Sequence, residues 1–285
     1  MSLLLTIAAS WGIYALLGMS IVVVYRTSRV LNIAGGELAI FVGYIVAACI
    51  AQGMPFALAL PVGLAAAALL GLAIFWIMIR RLMGEPPHVG LMVTVGLATF
   101  LNGLMVIVFG GGLTAVTTGL PGFASIGTTK LAMPDVVAAL GAWLGVGAIA
   151  LLYRITNIGL QMRALAERVV LSAQRGVNVE RIVALSWTLG VVAAGLAGSL
   201  HGARAFVSVS ASVIGVGALI ACLIGGMDSL KGVIVGAFLV AVAETLTVLY
   251  VDPRYVLLVP VGILLAVLAI RPWGLFGTVE EFRRV

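Results

Sequence analysis

Residues 56–79 read FALALPVGLAAAALLGLAIFWIMI, a run that contains no charged side chain. A helix needs about 20 consecutive apolar residues to cross the roughly 30 Å hydrocarbon core of a bilayer. This run is long enough to span a membrane, and it is typical of the chain. Of all residues, 63% are hydrophobic and only 9% are charged, which is more apolar surface than one water-soluble core can bury. The composition predicts an integral membrane protein.

Runs of this kind recur from one end of the sequence to the other. They predict an all-α integral membrane protein with nine transmembrane helices, within a range of eight to ten, in a single domain over residues 1–285. The predicted spans lie near 3–25, 30–51, 56–79, 90–110, 134–153, 182–203, 207–227, 231–250 and 255–270. The second and seventh contain glycines and polar residues, so we expect broken or partly unwound helices there. One broken helix in each half of the chain suggests a pseudo-repeat.

The basic residues predict the orientation, because the side that holds most Lys and Arg in short loops is cytoplasmic. With nine crossings, 13 of the 16 basic residues lie on one side, and Lys130, Arg204 and Arg254 lie on the other. If the segment 207–227 did not cross, the split would be only 10 to 6. The sequence therefore favours an N-terminus outside and a C-terminus in the cytoplasm. We read the net charge of +6 as a topology signal and expect no nucleic-acid partner.

Soluble catalytic motifs are missing from the sequence. No Gly-x-x-x-x-Gly-Lys-Ser/Thr phosphate loop occurs, and the two histidines, His88 and His201, are far apart. We expect no catalytic residue, no metal site and no ATP site on this chain. Uphill transport would need an ion gradient or a separate ATPase. Glu37 and Glu244 are the two carboxylates at membrane depth, which is few for a proton relay.

Broken helices near the membrane midplane supply free backbone groups for a polar solute. On that basis the candidates for a substrate pathway are Asn32, Gly35, Gly36, Glu37, Thr94, Asn102, Gly225, Gly226 and Glu244. Each has a structural alternative: the glycines can serve close helix packing, and Thr94 or Asn102 can hydrogen-bond a neighbouring helix. Glu37 can stabilise the first turn of a half-helix instead of lining the pathway. Glu244 needs a buried partner or water, which the sequence does not identify.

The segment 154–181 is the longest predicted cytoplasmic loop. Met162, Leu165 and Val169 recur in it at helical spacing, with charged residues on the remaining faces. The spacing predicts a short amphipathic helix. Such a helix can rest on the membrane surface or can form a docking surface for a soluble partner.

Six motifs together resemble one family, the permease subunits of branched-chain amino-acid ATP-binding-cassette (ABC) importers, and in particular the shorter of their two homologous membrane subunits. The resemblance covers nearly the whole chain. The motifs are LNIAGGE (31–37), TVGL (94–97), MRALAE (162–167) with GVN (176–178), AAGLAG (193–198), GGMDS (225–229) with Gly232, and RPWGLFG (271–277).

The resemblance implies a multi-pass protein of the bacterial inner membrane. It implies a second homologous permease in a hetero- or homodimer, two cytoplasmic ATPase subunits that bind ATP and Mg, and an extracytoplasmic solute-binding protein. Lipid is the remaining partner. This chain would bind no cofactor itself. The segment 154–181 corresponds to the family's coupling region, which assigns Arg163, Glu167, Arg168, Arg175 and Gly176 to ATPase coupling.

Two positions depart from the family pattern. Gly35 stands where the family often has His, and Lys231 stands where it often has Pro. The first departure lies beside Glu37 and leaves the solute open. Amino acids, branched-chain ones above all, are the main expectation. The alternatives are urea or short amides, carboxylic or aromatic acids, and an ATPase-independent channel or secondary transporter.

Overall fold

The computed structural model describes residues 2–120, 122–126 and 129–277. Its α-helices are α1 (Ser2–Ser28), α2 (Gly35–Ala51), α3 (Phe56–Ile77), α4 (Pro87–Phe109), α5 (Met133–Ile155), α6 (Asn157–Glu167), α7 (Val169–Gln174), α8 (Val179–Arg204), α9 (Ile214–Gly225), α10 (Leu230–Tyr250) and α11 (Leu258–Ile270). Short 3₁₀ segments lie at Ile79–Leu82, Val209–Val213 and Pro253–Tyr255.

Seven helices in the described part of the chain, namely α1, α3, α4, α5, α8, α10 and α11 with the 3₁₀ turn before it, are long and apolar enough to cross a membrane. Each coincides within a few residues with a predicted span. The other two predicted spans contain the shorter helices α2, with 17 residues, and α9, with 12. At 1.5 Å per residue these helices are only about 25 and 18 Å long. The second and seventh spans are therefore the interrupted ones, as predicted.

The described part of the chain also contains four short strands, which the prediction of an all-α protein did not include. β1 (Thr114–Ala115) pairs antiparallel with β4 (Phe206–Val207), with Thr114 opposite Val207. β2 (Phe123–Ile126) and β3 (Thr129–Ala132) form an antiparallel pair. The first pair ties the connection before α5 to the chain that leaves α8.

The centre of the bundle is formed by α1 and α8. In each of these two helices, 72% of the most apolar 18-residue stretch is buried inside the protein, whereas only 6% of the corresponding stretch of α11 is buried. α8 packs against α1, α2, α3 and α5, and α1 also packs against α9 and α10. The outer helices α4, α5 and α11 leave most of their apolar surface exposed, which suits contact with lipid or with another membrane subunit.

Close backbone approach sets the packing between α2 and α8. A Cβ atom at Gly198 of α8 would overlap the carbonyl oxygen of Ala39 on α2. Small residues at such points let helices approach in lipid, where no hydrophobic effect drives them together. Gly147 on α5 provides a contrast, because a Cβ atom there would meet no atom of another element within 4 Å.

We therefore expect Gly198→Ala to destabilise the protein by about 1–3 kcal/mol, because the added methyl group meets backbone that cannot move aside. The matched variant Gly147→Ala should be neutral or stabilising, since Ala favours helix over Gly by about 1 kcal/mol. Thermal unfolding in detergent, followed by fluorescence-detected size exclusion, measures both. Equal midpoints for the two variants would contradict the packing described for α2 and α8.

Candidate functional site

The break before α2 is held in place by Thr94 of α4. Residues 29–34 between α1 and α2 are not helical. The hydroxyl of the fully buried Thr94 lies 2.9 Å from the carbonyl oxygen of Leu31 and 2.9 Å from that of Leu91 on α4, and these two share its one hydrogen. The same oxygen accepts the amide of Ile33 at 3.5 Å. Non-helical backbone at membrane depth must find such partners inside the protein. Thr94 therefore fixes the path of the break.

The start of α2 meets the start of α9. A Cβ atom at Gly36 would overlap the carbonyl of Ser212, and a Cβ atom at Gly215 would lie 2.6 Å from the Cα atom of Gly36. Ala34 occupies the N-cap of α2 and offers no side-chain acceptor. The first-turn amides of α2 are thus left for another acceptor, and the helix dipole makes this end electropositive.

Glu37 lies in this first turn and points towards α4. Its carboxylate accepts a hydrogen bond from the Asn102 side-chain amide at 3.3 Å, and the same amide donates to the carbonyl of Ala98 at 3.1 Å. Both Glu37 and Asn102 are half-buried. Asn32 is 3% exposed, and its side-chain oxygen has no hydrogen-bond partner in the part of the chain described. The break in the second span thus contains the buried Asn32, and the uncapped end of α2 that follows it carries Glu37, which is hydrogen-bonded to Asn102.

Gly225 and Gly226 lie at the other end of α9, ten residues from Gly215 and therefore about 15 Å along the helix axis. A Cβ atom at Gly225 would overlap backbone of Gly232, and one at Gly226 would lie 2.5 Å from the amide nitrogen of Gly277. These two candidates thus belong to a separate packing contact between α9, α10 and the segment after α11. The structure does not bring them together with Glu37.

Glu244 has a partner that the sequence did not identify. Its carboxylate accepts a hydrogen bond from the Tyr14 hydroxyl at 2.6 Å, which joins α10 to α1. Glu37 instead contacts α4. The two membrane carboxylates therefore lie in different environments.

An ion pair near the beginning of α5 was also missed. Arg204 at the end of α8 contacts Asp135 at 2.7 Å, and the side chains are only 15% and 16% exposed. Thr6 donates to Asp135 at 2.9 Å, and Arg204 donates to Ser10 at 3.0 Å. Thr6, Ser10 and Tyr14 follow one another at intervals of four on α1, so they share one face. That spacing is the signal from which this polar face could have been found.

The predicted amphipathic helix is α6. Thr156 caps it by accepting the Gly159 amide at 3.0 Å, and its buried face presents Gly159, Met162 and Leu165 to the bundle. Arg163 is half-buried and turns inward: its guanidinium donates to the carbonyl of Tyr153 and lies 5.8 Å from that ring. Arg163 therefore anchors α6 to α5 and does not point outward.

The other predicted coupling residues are exposed beside α6 and α7. Glu167, Arg168 and Arg175 line an open groove of about 680 Å³, together with apolar residues such as Leu160 and Leu171. Gly176 ends α7 with a backbone φ of 83°, a conformation that favours glycine. The groove combines charge and apolar surface, as expected of a surface that binds a protein partner.

Arg29 connects this region with the break before α2. It has a backbone φ of 54°, unusual for a residue other than glycine. Its guanidinium donates to the carbonyl of Ala166 in the last turn of α6 at 3.1 Å. The residue that starts the non-helical segment 29–34 is therefore bonded to the helix that borders the groove.

Comparisons with known proteins agree on one family. Residues 3–268 match the family described as branched-chain amino acid transport system / permease component. The high-affinity branched-chain amino acid transport permease LivH of Escherichia coli K12 is 26% identical, over 94% of this chain and 92% of its own. BraD of Pseudomonas aeruginosa is 25% identical with the same coverage, and a probable LivH of Methanocaldococcus jannaschii is 25% identical over 93% of this chain and 89% of its own.

One solved structure shares the fold. PsaBC from Streptococcus pneumoniae, solved in complex with a Fab, superposes with a TM-score of 0.51 at 12% identity. The match covers 93% of this chain and 91% of that one.

Proposed function

Because this chain belongs to the branched-chain amino acid transport permease family, we propose that it is the membrane permease subunit of an ABC importer and that an amino acid passes along the face formed by α2 and α4. The observation that carries the proposal is the pairing of opposite polarities at the break before α2. The uncapped, electropositive end of α2 attracts a carboxylate, and the Glu37 carboxylate beside it attracts an ammonium group. A zwitterion satisfies both.

The alternative solutes fit this arrangement less well. Urea and short amides carry neither a carboxylate nor an ammonium group to match the two ends of the arrangement, and carboxylic or aromatic acids would meet the repulsion of Glu37 without an ammonium to offset it. The relatives LivH and BraD are named for branched-chain amino acids, which supports the same choice.

The proposed topology has nine crossings. The non-helical residues before α2 complete the second crossing, and the 3₁₀ segment Val209–Val213 before α9 completes the seventh. The N-terminus lies outside and the C-terminus in the cytoplasm of a bacterium, because this arrangement puts 13 of the 16 basic residues on the cytoplasmic side. The groove beside α6 and α7 then faces the cytoplasm, where two ATPase subunits bind ATP and Mg. The solute-binding protein docks on the opposite side.

The second permease is proposed to cover α4. A half-buried carboxylate and amide facing lipid are costly, so Glu37 and Asn102 favour a protein neighbour. The exposed face of α4 carries Gly96, Thr99 and Gly103, and a Cβ atom at either glycine would meet no atom of another element within 4 Å. Such small residues allow the close approach of another membrane helix. The pathway would then run between the two permeases.

Glu37→Gln should lower amino-acid uptake roughly 10- to 100-fold, since it removes the charge that pairs with the ammonium group while keeping the side-chain shape. The measurement is ATP-dependent uptake of radiolabelled leucine by the complete complex in proteoliposomes. Asp252→Asn is the control, because this carboxyl only caps the turn at Arg254, 2.8 Å from its amide. Full uptake by Glu37→Gln would remove Glu37 from the pathway, and uptake without ATP would favour the channel or secondary transporter.

Arg168→Glu should reduce leucine-stimulated ATP hydrolysis of the reconstituted complex about tenfold or abolish ATPase binding, because it reverses a charge in the groove. Arg81→Glu, an equally exposed reversal on the Ile79–Leu82 turn outside the groove, is the matched control. Arg163→Glu should act differently and lower thermal stability, because Arg163 anchors α6. Normal stimulation in Arg168→Glu would exclude the groove as the docking surface.

A photo-crosslinking residue tests the position of the second permease. With p-benzoylphenylalanine in place of Thr99, illumination of native membranes should join this chain to the second permease, because Thr99 lies on the exposed face of α4. The same replacement at Ala266, exposed on α11, is the control and should yield no such product. A product at Ala266 but not at Thr99 would place the second permease against α11 instead.

A further inference from the structure

A crevice between α1 and α10 lies apart from the α2–α4 face. It has a volume of about 420 Å³ and is lined by polar Thr6, Ser10, Glu244 and Thr245 and by apolar residues that include Val248 and Leu249. Glu244 is six residues from the end of α10, so it lies about 9 Å below that end of the helix. The crevice therefore leads from the end of the bundle opposite α6 down to a carboxylate.

The charges around the crevice do not balance. Asp135 and Arg204 form an ion pair, which compensates one negative charge with one positive. Glu244 has Tyr14 as its hydrogen-bond partner, and no ion pair reaches Glu244 from the residues that the structure describes. A carboxylate at membrane depth that lacks a positive partner is costly. Either a proton on Glu244 or a positive group in the crevice offsets this cost, and the crevice has room for the positive group.

The hydroxyl groups that line the crevice indicate which kind of positive group would fit there. Thr6 donates to Asp135, and Thr245 donates to the carbonyl of Ala241 at 2.7 Å. Their oxygens can still accept hydrogen bonds, as can the second oxygen of Glu244. A primary ammonium group has three N–H donors for such acceptors, whereas a trimethylammonium group has none.

The size and walls of the crevice favour an organic cation over a metal ion. A volume of about 420 Å³ is far larger than a single ion needs, and a hard cation requires six or more oxygen ligands. Val248 and Leu249 are 50% and 53% exposed beside the carboxylate, so a ligand can place hydrocarbon against them. The matching ligand carries an ammonium group next to apolar carbon.

We propose that the α1–α10 crevice is a binding site for a primary ammonium group, with Glu244 as its counter-ion. Two sources share this chemistry: the headgroup of an aminophospholipid such as phosphatidylethanolamine, and the ammonium group of a free amino acid. The evidence for this site is the crevice and the charges around it, and the proposal does not depend on the pathway proposed for α2 and α4.

The test for the lipid source uses the complete complex in nanodiscs that contain equal amounts of phosphatidylethanolamine and phosphatidylcholine. After extraction into mild detergent, the lipid that stays bound is quantified by mass spectrometry. We expect phosphatidylethanolamine to be enriched roughly tenfold over phosphatidylcholine, the factor expected of one charge-assisted hydrogen bond, and Glu244→Gln to lose this enrichment. Glu180→Gln is the charge-matched control, because Glu180 pairs with Arg80 at 2.5 Å away from the crevice.

A second variant keeps the test valid if Glu244→Gln does not fold. Val248→Trp leaves the carboxylate in place and fills the mouth of the crevice, so it should lose the same enrichment. Thermal unfolding of each variant identifies any that are not folded.

The free amino acid is tested by equilibrium binding of radiolabelled leucine to the complex in phosphatidylcholine nanodiscs without the solute-binding protein. The comparison compound is 4-methylpentanoate, which is leucine without its amino group. Glu244-dependent binding of leucine but not of 4-methylpentanoate assigns the site to a free amino acid, and Glu244-dependent lipid enrichment alone assigns it to a lipid. The proposal is overturned if folded Glu244→Gln and Val248→Trp match the wild type in both assays.

Discussion

The structure depends on one constraint, that backbone groups inside a bilayer must find their partners within the protein. The chain breaks its helical hydrogen bonding before α2 and again between α8 and α9, and each break needs a substitute. Thr94 supplies it before α2 through its bonds to Leu31 and Ile33. Before α9, strand pairing of β4 with β1 and the cap that Ser208 provides to the amide of Ala211 have the same effect. The two breaks then meet at Gly36 and Gly215, where the absence of side chains lets the helix ends touch.

The same constraint governs the charged groups, because an ionised side chain in lipid needs a partner as much as an open backbone group does. Asp135 and Arg204 satisfy each other, and hydroxyl groups of α1 complete their hydrogen bonds. Among the residues that the structure describes, Glu37 and Glu244 have only neutral partners, Asn102 and Tyr14. These two carboxylates are therefore the positions at which the bundle can accept a positive group from outside the chain, and they lie on different helix pairs.

Most of the fold could be predicted from the sequence, because the length of a single apolar run is enough to predict a membrane span. The break in the second span was equally local, since Asn32, Gly35 and Gly36 lie within five consecutive residues. The Tyr14–Glu244 contact joins positions 230 residues apart, and no local pattern encodes such a pairing. Helical spacing likewise predicted α6, but it could not tell that Arg163 folds back onto Tyr153, because a charged residue at the edge of an amphipathic face can turn either way.

Arg29 shows how the proposed docking groove and the pathway can act on each other. It bonds to the last turn of α6, and its own backbone begins the segment that Thr94 holds against α4. A backbone φ of 54° costs a side-chain-bearing residue about 1 kcal/mol or more, so this conformation persists only while its contacts hold it. If ATPases move α6 through the groove, the hydrogen bond between Arg29 and Ala166 carries the displacement to the start of the break. At the other end of the break, Gly36 packs directly against Gly215, so any shift of the start of α2, which carries Glu37, also has to move the start of α9.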